Sequence, residues 1–136
     1  MENRRTITLL LVDDDPLILD VLRIQLEQII PNHVIIERAS SGEEGLQLMK
    51  ELAQEGLSPV EIIISDYFMP GLTGTDFLLR AHVVNPHSKK ILLTGQADES
   101  TVNSILSETN LFHFMTKPWD GKELQQIIQG FIDDIN

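Results

Sequence analysis

Ile7-Thr8-Leu9-Leu10-Leu11-Val12, followed at once by Asp13-Asp14-Asp15-Pro16, is the stretch that decides the fold. A short, almost continuous apolar run of this kind suits a strand buried on both faces. Comparable runs recur at residues 34–36, 60–64, 91–93 and 111–115. Between them lie segments with helical spacing, among them Leu17, Ile18, Val21 and Leu22, and later Leu124, Ile127, Ile128 and Phe131. The expected order is therefore (βα)5, an α/β chain whose parallel sheet is covered by helices on both sides.

Local signals place the helix ends independently. Asp15-Pro16 supplies a cap followed by proline at the first helical position, so the first helix is expected to start there. Ser41 with Glu44, and Asp120 with Glu123, have the spacing of capping boxes, while Gly56 followed by Pro59 closes the second helix. The last residues, 132–136, read as the frayed end of the final helix.

The chain's 136 residues, 42% of them hydrophobic, suffice for one compact domain, residues 1–136, and a second domain is not expected among them. No apolar run approaches the about eighteen residues of a membrane span, and Met1-Glu2-Asn3-Arg4-Arg5 leads into a strand pattern rather than a signal-peptide core. A cytoplasmic protein is expected. The absence of cysteine excludes disulfides and thiolate metal sites. A net charge of -11 leaves no excess of Lys and Arg to displace counterions from phosphates, so direct nucleic acid binding is not expected. His33, His82, His87 and His113 lack the close pairing of a histidine metal site and read as surface or packing residues.

In open α/β sheets, sites form beyond the carboxyl ends of the strands. Here those ends read Asp13-Asp14-Asp15, Ser65-Asp66, Thr94-Gly95 and Thr116-Lys117-Pro118. Two carboxylates about 4 Å apart repel by about 4 kcal/mol at an effective dielectric near 20, so a cation is expected among them. Oxygen ligands without Cys or clustered His favour Mg2+, with Mn2+ as the alternative. Lys117 adds a fixed positive charge. Phosphoryl transfer asks of a protein mainly positioning and charge neutralisation, and a carboxylate nucleophile completes the set. Taken singly the residues say less: Asp15 reads as a cap, Thr94 as a strand end and Phe114 as core.

Together, Leu11-Val12-Asp13-Asp14-Asp15-Pro16, Asp66-Tyr67-Phe68-Met69-Pro70 with Gly74, Leu93-Thr94-Gly95 and Lys117-Pro118-Trp119 resemble the receiver domain of two-component response regulators, over almost the whole chain. The resemblance implies a flavodoxin-like fold with strand order 2-1-3-4-5. It makes Asp66 the phosphoacceptor and Asp13 and Asp14 the acidic pair holding Mg2+, with Asp14 and the backbone carbonyl of Phe68 as ligands beside Asp66. It assigns Thr94 as the switch hydroxyl, Lys117 as the phosphoryl-binding ammonium and Phe114 as the aromatic switch residue. It also implies a cis peptide between Lys117 and Pro118, an isomer found essentially only before proline. Phe68 and Gln96 fall where the family tunes access of the hydrolytic water, and a bulky Phe68 points to a shielded acyl phosphate. The phrase Leu93-Thr94-Gly95-Gln96-Ala97-Asp98, with Lys117-Pro118-Trp119, is similar to receivers attached to HD-type phosphodiesterases or transcription activators.

The implied function is a phosphorylation-activated switch rather than an enzyme, catalysing only its own phosphoryl transfer and autodephosphorylation. Its implied partners are a sensor histidine kinase or histidine phosphotransfer protein, an output domain or downstream protein, and a second copy through the surface of the fourth helix, fifth strand and fifth helix. Two rivals share parts of the pattern. A haloacid-dehalogenase-like Mg2+ phosphatase expects a second Asp two residues after its nucleophile, where this chain has Phe68. A flavodoxin-like cofactor binder expects a Ser, Thr or Gly-rich first loop, whereas Asp13-Asp14-Asp15 would repel phosphate. A degenerate receiver that only mediates contacts is a third rival, against which the set Asp13, Asp14, Asp66, Thr94 and Lys117 is complete, and a passive phosphorelay carrier is a further alternative.

Overall fold

Alternating strands and helices run through residues 5–56, 59–95 and 113–135, which the structure, a computed structural model, describes. They are β1 (Ile7–Val12), α1 (Pro16–Glu27), β2 (Val34–Ala39), α2 (Gly42–Gln54), β3 (Val60–Asp66), α3 (Gly74–Val84), β4 (Lys89–Thr94), β5 (His113–Thr116) and the C-terminal helix α4 (Gly121–Ile135). All strand pairs are parallel and the sheet order is β2-β1-β3-β4-β5, the doubly wound topology expected. The helix expected between β4 and β5, the start of the run at 111–115, and Gln96, Ala97 and Asp98 lie outside the described residues.

The run that opened the reading is the centre of the molecule. β1 lies between β2 and β3, and none of its residues is more than 6% exposed. Because successive side chains in a strand point to opposite faces, Leu9 and Leu11 enter one core with α1 and the C-terminal helix, while Leu10 and Val12 enter the other with α2 and α3. That is why the sequence is apolar at consecutive positions. Each such leucine contributes roughly 1.5–3 kcal/mol by leaving water. In β3 the pairing skips Glu61, since Thr8 faces Val60 and Leu9 faces Ile62. The extra residue lets Val60 and Ile63 share one core while Ile62 and Ile64 serve the other.

The reading of residues 34–36 as a strand buried on both faces is corrected by the structure. β2 continues to Ala39 and is buried only at Val34 and Ala39, leaving Ile35 47% exposed. It is an edge strand with β1 as its partner, and Glu37 and Arg38 on it discourage pairing with another chain.

Asp15 caps α1 by accepting the Leu17 N–H at 2.9 Å, with Pro16 opening the helix. Ser41 caps α2 through the Glu44 N–H at 3.0 Å, but the Glu44 carboxylate accepts from the Ser40 hydroxyl at 2.9 Å instead of completing a reciprocal box. Asp120 accepts the Lys122 N–H at 2.8 Å, and Gly56, at φ 69, follows the end of α2. The tail expected to fray is helical through Ile135. Ile132 is buried because it extends the stripe of Leu124 and Ile128 at four-residue spacing.

Candidate functional site

The strand order reverses direction between β1 and β3, which opens a crevice at their carboxyl ends. Val12 is in register with Ser65, so the next residues, Asp13 and Asp66, flank that crevice. The carboxylates of Asp13, Asp14 and Asp66 each offer an oxygen within 4.8 Å of the others. Asp13 and Asp66 are buried and Asp14 is exposed.

Lys117 reaches into this group from the far end of β5. Its Nζ lies 2.8 Å from Asp66 Oδ1 and 3.2 Å from Asp13 Oδ2, and its N–H bonds the Thr94 carbonyl at 2.7 Å. The Lys117-Pro118 peptide is cis. Asp13 is held twice, since its other oxygen accepts the Asp15 N–H at 2.9 Å.

One ammonium divided between two carboxylates leaves each of them short of compensation. Burial pushes the Asp13 carboxyl above its ordinary range, against the pull of the Asp15 N–H and Lys117 and with added repulsion from Asp14. Burial likewise raises Asp66, where the Lys117 bond opposes it and the charges of Asp13 and Asp14 reinforce it. For Lys117 burial acts to lower the value, but the bonds and charges of Asp66 and Asp13 together outweigh it and the net shift is upward. The pocket therefore carries excess negative charge.

Thr94 closes the site at the end of β4. It is fully buried, and its Oγ1 has no hydrogen-bond partner among the described residues. A buried hydroxyl left unpaired costs roughly 1–3 kcal/mol, so it is disposed to accept a new partner. Phe114, paired with Leu92 across the β4–β5 ladder, is half-buried against the core of α2 and α3.

Phe68, expected to shield an acyl phosphate on Asp66, is 75% exposed, while Met69, 5% exposed, fills the inward position of this loop. Two supports of the site were not drawn from the sequence. Gly74, quoted only as part of a motif, starts α3 so close to Asp66 that a Cβ there would lie 2.1 Å from the Asp66 backbone oxygen. Gln25 accepts the Trp119 indole N–H at 2.7 Å across 94 residues of chain, a pairing without any local sequence signal.

Residues 9–129 match the family model of the response regulator receiver domain. The hydrogenase transcriptional regulatory protein HoxA of Cupriavidus necator is 29% identical over 112 residues, 82% of this chain and 21% of that one. A probable chemotaxis protein CheY of Rhizobium etli is 31% identical over 98 residues, 70% of each chain. The crystal structure of the signal receiver domain of an HD domain-containing protein from Pseudomonas fluorescens Pf-5 superposes with a TM-score of 0.80 at 28% identity, covering 96% of this chain and 97% of that one.

The chain belongs to the receiver domain family of two-component response regulators, which are phosphorylation-activated switches. Receiver domains bind Mg2+ at an acidic pocket and work between histidine kinases and output domains. The chain spans between about a tenth and about half of the length of HoxA, a DctR response regulator and the sensor kinase CckA. Among the described residues, no helix is long and apolar enough to cross a membrane.

Proposed function

We propose that Asp66 accepts a phosphoryl group from the phosphohistidine of a partner kinase or phosphotransfer protein, and that Thr94 and Lys117 read the result. The observation that carries this is the Lys117–Asp66 contact at 2.8 Å beside the β4 end that carries the buried Thr94 hydroxyl, unpartnered among the described residues. An Asp66 oxygen attacks phosphorus in line, the phosphorus–oxygen bond forms, and the electron pair of the breaking phosphorus–nitrogen bond stays with the departing imidazole. Lys117 then donates to a phosphoryl oxygen, and Thr94 turns its hydroxyl to another.

The donor set fits a divalent cation. Three carboxylates and one ammonium leave two negative charges in the pocket, with no sulfur or imidazole ligand among them. Asp13, Asp14, Asp66 and the Phe68 carbonyl would hold Mg2+, with Asp14 as the direct carboxylate of the acidic pair, because both Asp13 oxygens already have protein partners. The cation's chemistry there is neutralisation of the charge gathered by the carboxylates and phosphoryl oxygens.

Movement of Thr94 toward Asp66 vacates space for the Phe114 ring, which biases the surface of β5 and the C-terminal helix toward a second arrangement. An output domain, downstream protein or second receiver reads that surface in the cytoplasm, and autodephosphorylation resets it.

Intact mass after incubation with acetyl phosphate and Mg2+ tests the acceptor. One phosphoryl group is expected, absent without Mg2+ and absent in Asp66→Asn; labelling that persists in that variant overturns the assignment. Backbone NMR with beryllofluoride tests the switch, with shifts expected around Phe114 in the wild type and not in Thr94→Ala. Wild-type shifts confined to the Asp66 loops would leave a passive carrier as the better account.

A further inference from the structure

We propose that Gln25 of α1 is a positioning residue for Lys117, acting through the indole of Trp119. The inference rests on the reading of Lys117 as the phosphoryl-binding ammonium. Lys117 leaves β5 with its N–H fixed to the Thr94 carbonyl at 2.7 Å, and two residues later the Trp119 indole N–H is fixed to Gln25 Oε1, also at 2.7 Å. These two bonds bracket Pro118, which is exposed and has no N–H of its own to anchor the segment.

Packing alone does not complete the anchoring. An open groove of about 390 Å³ is lined by Ile18, Val21 and Gln25 of α1 and by Lys117, Pro118 and Trp119, so the contact between the two segments is incomplete on its solvent side. Side chains facing a gap lose van der Waals partners on that side, so the directional Gln25–Trp119 bond fixes where the loop sits against α1.

In the unphosphorylated protein Asp13 and Asp66 also hold the ammonium. Transfer moves the negative charge from the Asp66 oxygen to the phosphoryl oxygens, so the ammonium must be aimed at a new partner. Where it can reach is set by the backbone from which it leaves, and the backbone depends on the two brackets. A misplaced ammonium is costly because transition-state stabilisation falls steeply with geometry.

The test measures amide hydrogen exchange by NMR in metal-free protein, and the initial rate of Asp66 labelling by acetyl phosphate with Mg2+. Gln25→Met keeps the bulk and removes a strong acceptor; Trp119→Phe removes the donor. Each should speed exchange of the Lys117 amide about 3- to 10-fold, the range of one lost hydrogen bond, without moving the core amides of Leu10 and Ile63. Labelling should slow by a similar factor, and the double variant should be no worse than either single one. Gln25→Glu, which retains an acceptor oxygen, should restore both readouts.

Three results overturn the proposal: Lys117 and core amides accelerating together, labelling unchanged in Gln25→Met, or Gln25→Glu behaving like Gln25→Met. Absence of labelling in the wild type strikes at the Asp66 reading instead, while the exchange data still decide the role of Gln25.

Discussion

Substitution of Gly74 by alanine should damage fold and chemistry through a single contact. A Cβ at residue 74 would lie 2.1 Å from the Asp66 backbone oxygen, 2.8 Å from its carbonyl carbon and 2.8 Å from Leu92 Cδ1. Two of these atoms belong to the backbone of β3, held in a ladder with β4, and cannot rotate aside. Reaching even 3.0 Å from the oxygen requires a shift of about 0.9 Å, either of the start of α3 or of the Asp66 peptide. Overpacking typically costs roughly 1–3 kcal/mol, and a backbone obstacle places Gly74→Ala near the top of that range. With a urea slope of about 1.5–2 kcal/mol/M, the unfolding midpoint should fall by about 1.5–2 M. Displacing the acceptor by nearly an ångström should also slow labelling by acetyl phosphate, by up to about 100-fold. Gly130→Ala in the C-terminal helix is the control, since a Cβ there meets nothing within 4 Å. It should raise stability by up to about 1 kcal/mol and leave labelling untouched. A Gly74→Ala protein with the wild-type urea midpoint and wild-type labelling rate would refute the close-approach argument.

Lys90 is 3% exposed and burial lowers its pKa to about 8, so between about pH 8 and 10.5 the unfolded chain binds a proton that the folded one lacks. Wild-type stability should therefore rise with pH across that window by up to about 3 kcal/mol relative to Lys90→Met; equal pH profiles in urea denaturation would contradict it. Thr94→Val removes a buried hydroxyl that has no partner among the described residues, so the unphosphorylated protein should gain about 1 kcal/mol while losing the beryllofluoride-induced shifts near Phe114; a loss of stability would mean that the hydroxyl is already bonded. Asp14→Ala should weaken Mg2+ binding more than Asp13→Ala in calorimetric titration, because Asp13 is already held by Lys117 and the Asp15 N–H; equal losses would count against the division of roles.

The parts of the fold legible in sequence are those where both sides of an element meet the same chemistry. β1 and β3 are buried on two faces and read as nearly continuous apolar runs, broken only by Thr8 and Glu61, whereas β2 at the edge carries Glu37 and Arg38 and reads three residues shorter than it is. The tail of the C-terminal helix was mistaken for a frayed end because Asp133 and Asp134 obscure Ile132, which only the packing partner identifies as core. The site was legible because a doubly wound sheet gathers its strand ends in one place, so Asp13, Asp66, Thr94 and Lys117 could be grouped from order alone. Contacts between distant elements were not. The Gln25–Trp119 bond depends on where α1 lies against the loop after β5, and the exposure of Phe68 depends on Met69 having taken the inward position.

The electrostatics of the pocket belong to the same category, because charge counts do not reveal how a charge is shared. Asp13, Asp14 and Asp66 would count as three equal carboxylates beside one lysine. Geometry separates them: Asp13 is buried and doubly held, Asp66 is buried and shares the lysine, and Asp14 stands exposed with no ion pair among the described residues. The Lys117 ammonium sits between the two buried carboxylates, and Asp14 is the exposed member of the group. Under the proposed roles, a cation from water would find Asp14 the most accessible of the three carboxylates, and Lys117 would stay within reach of Asp66, where phosphoryl charge would develop.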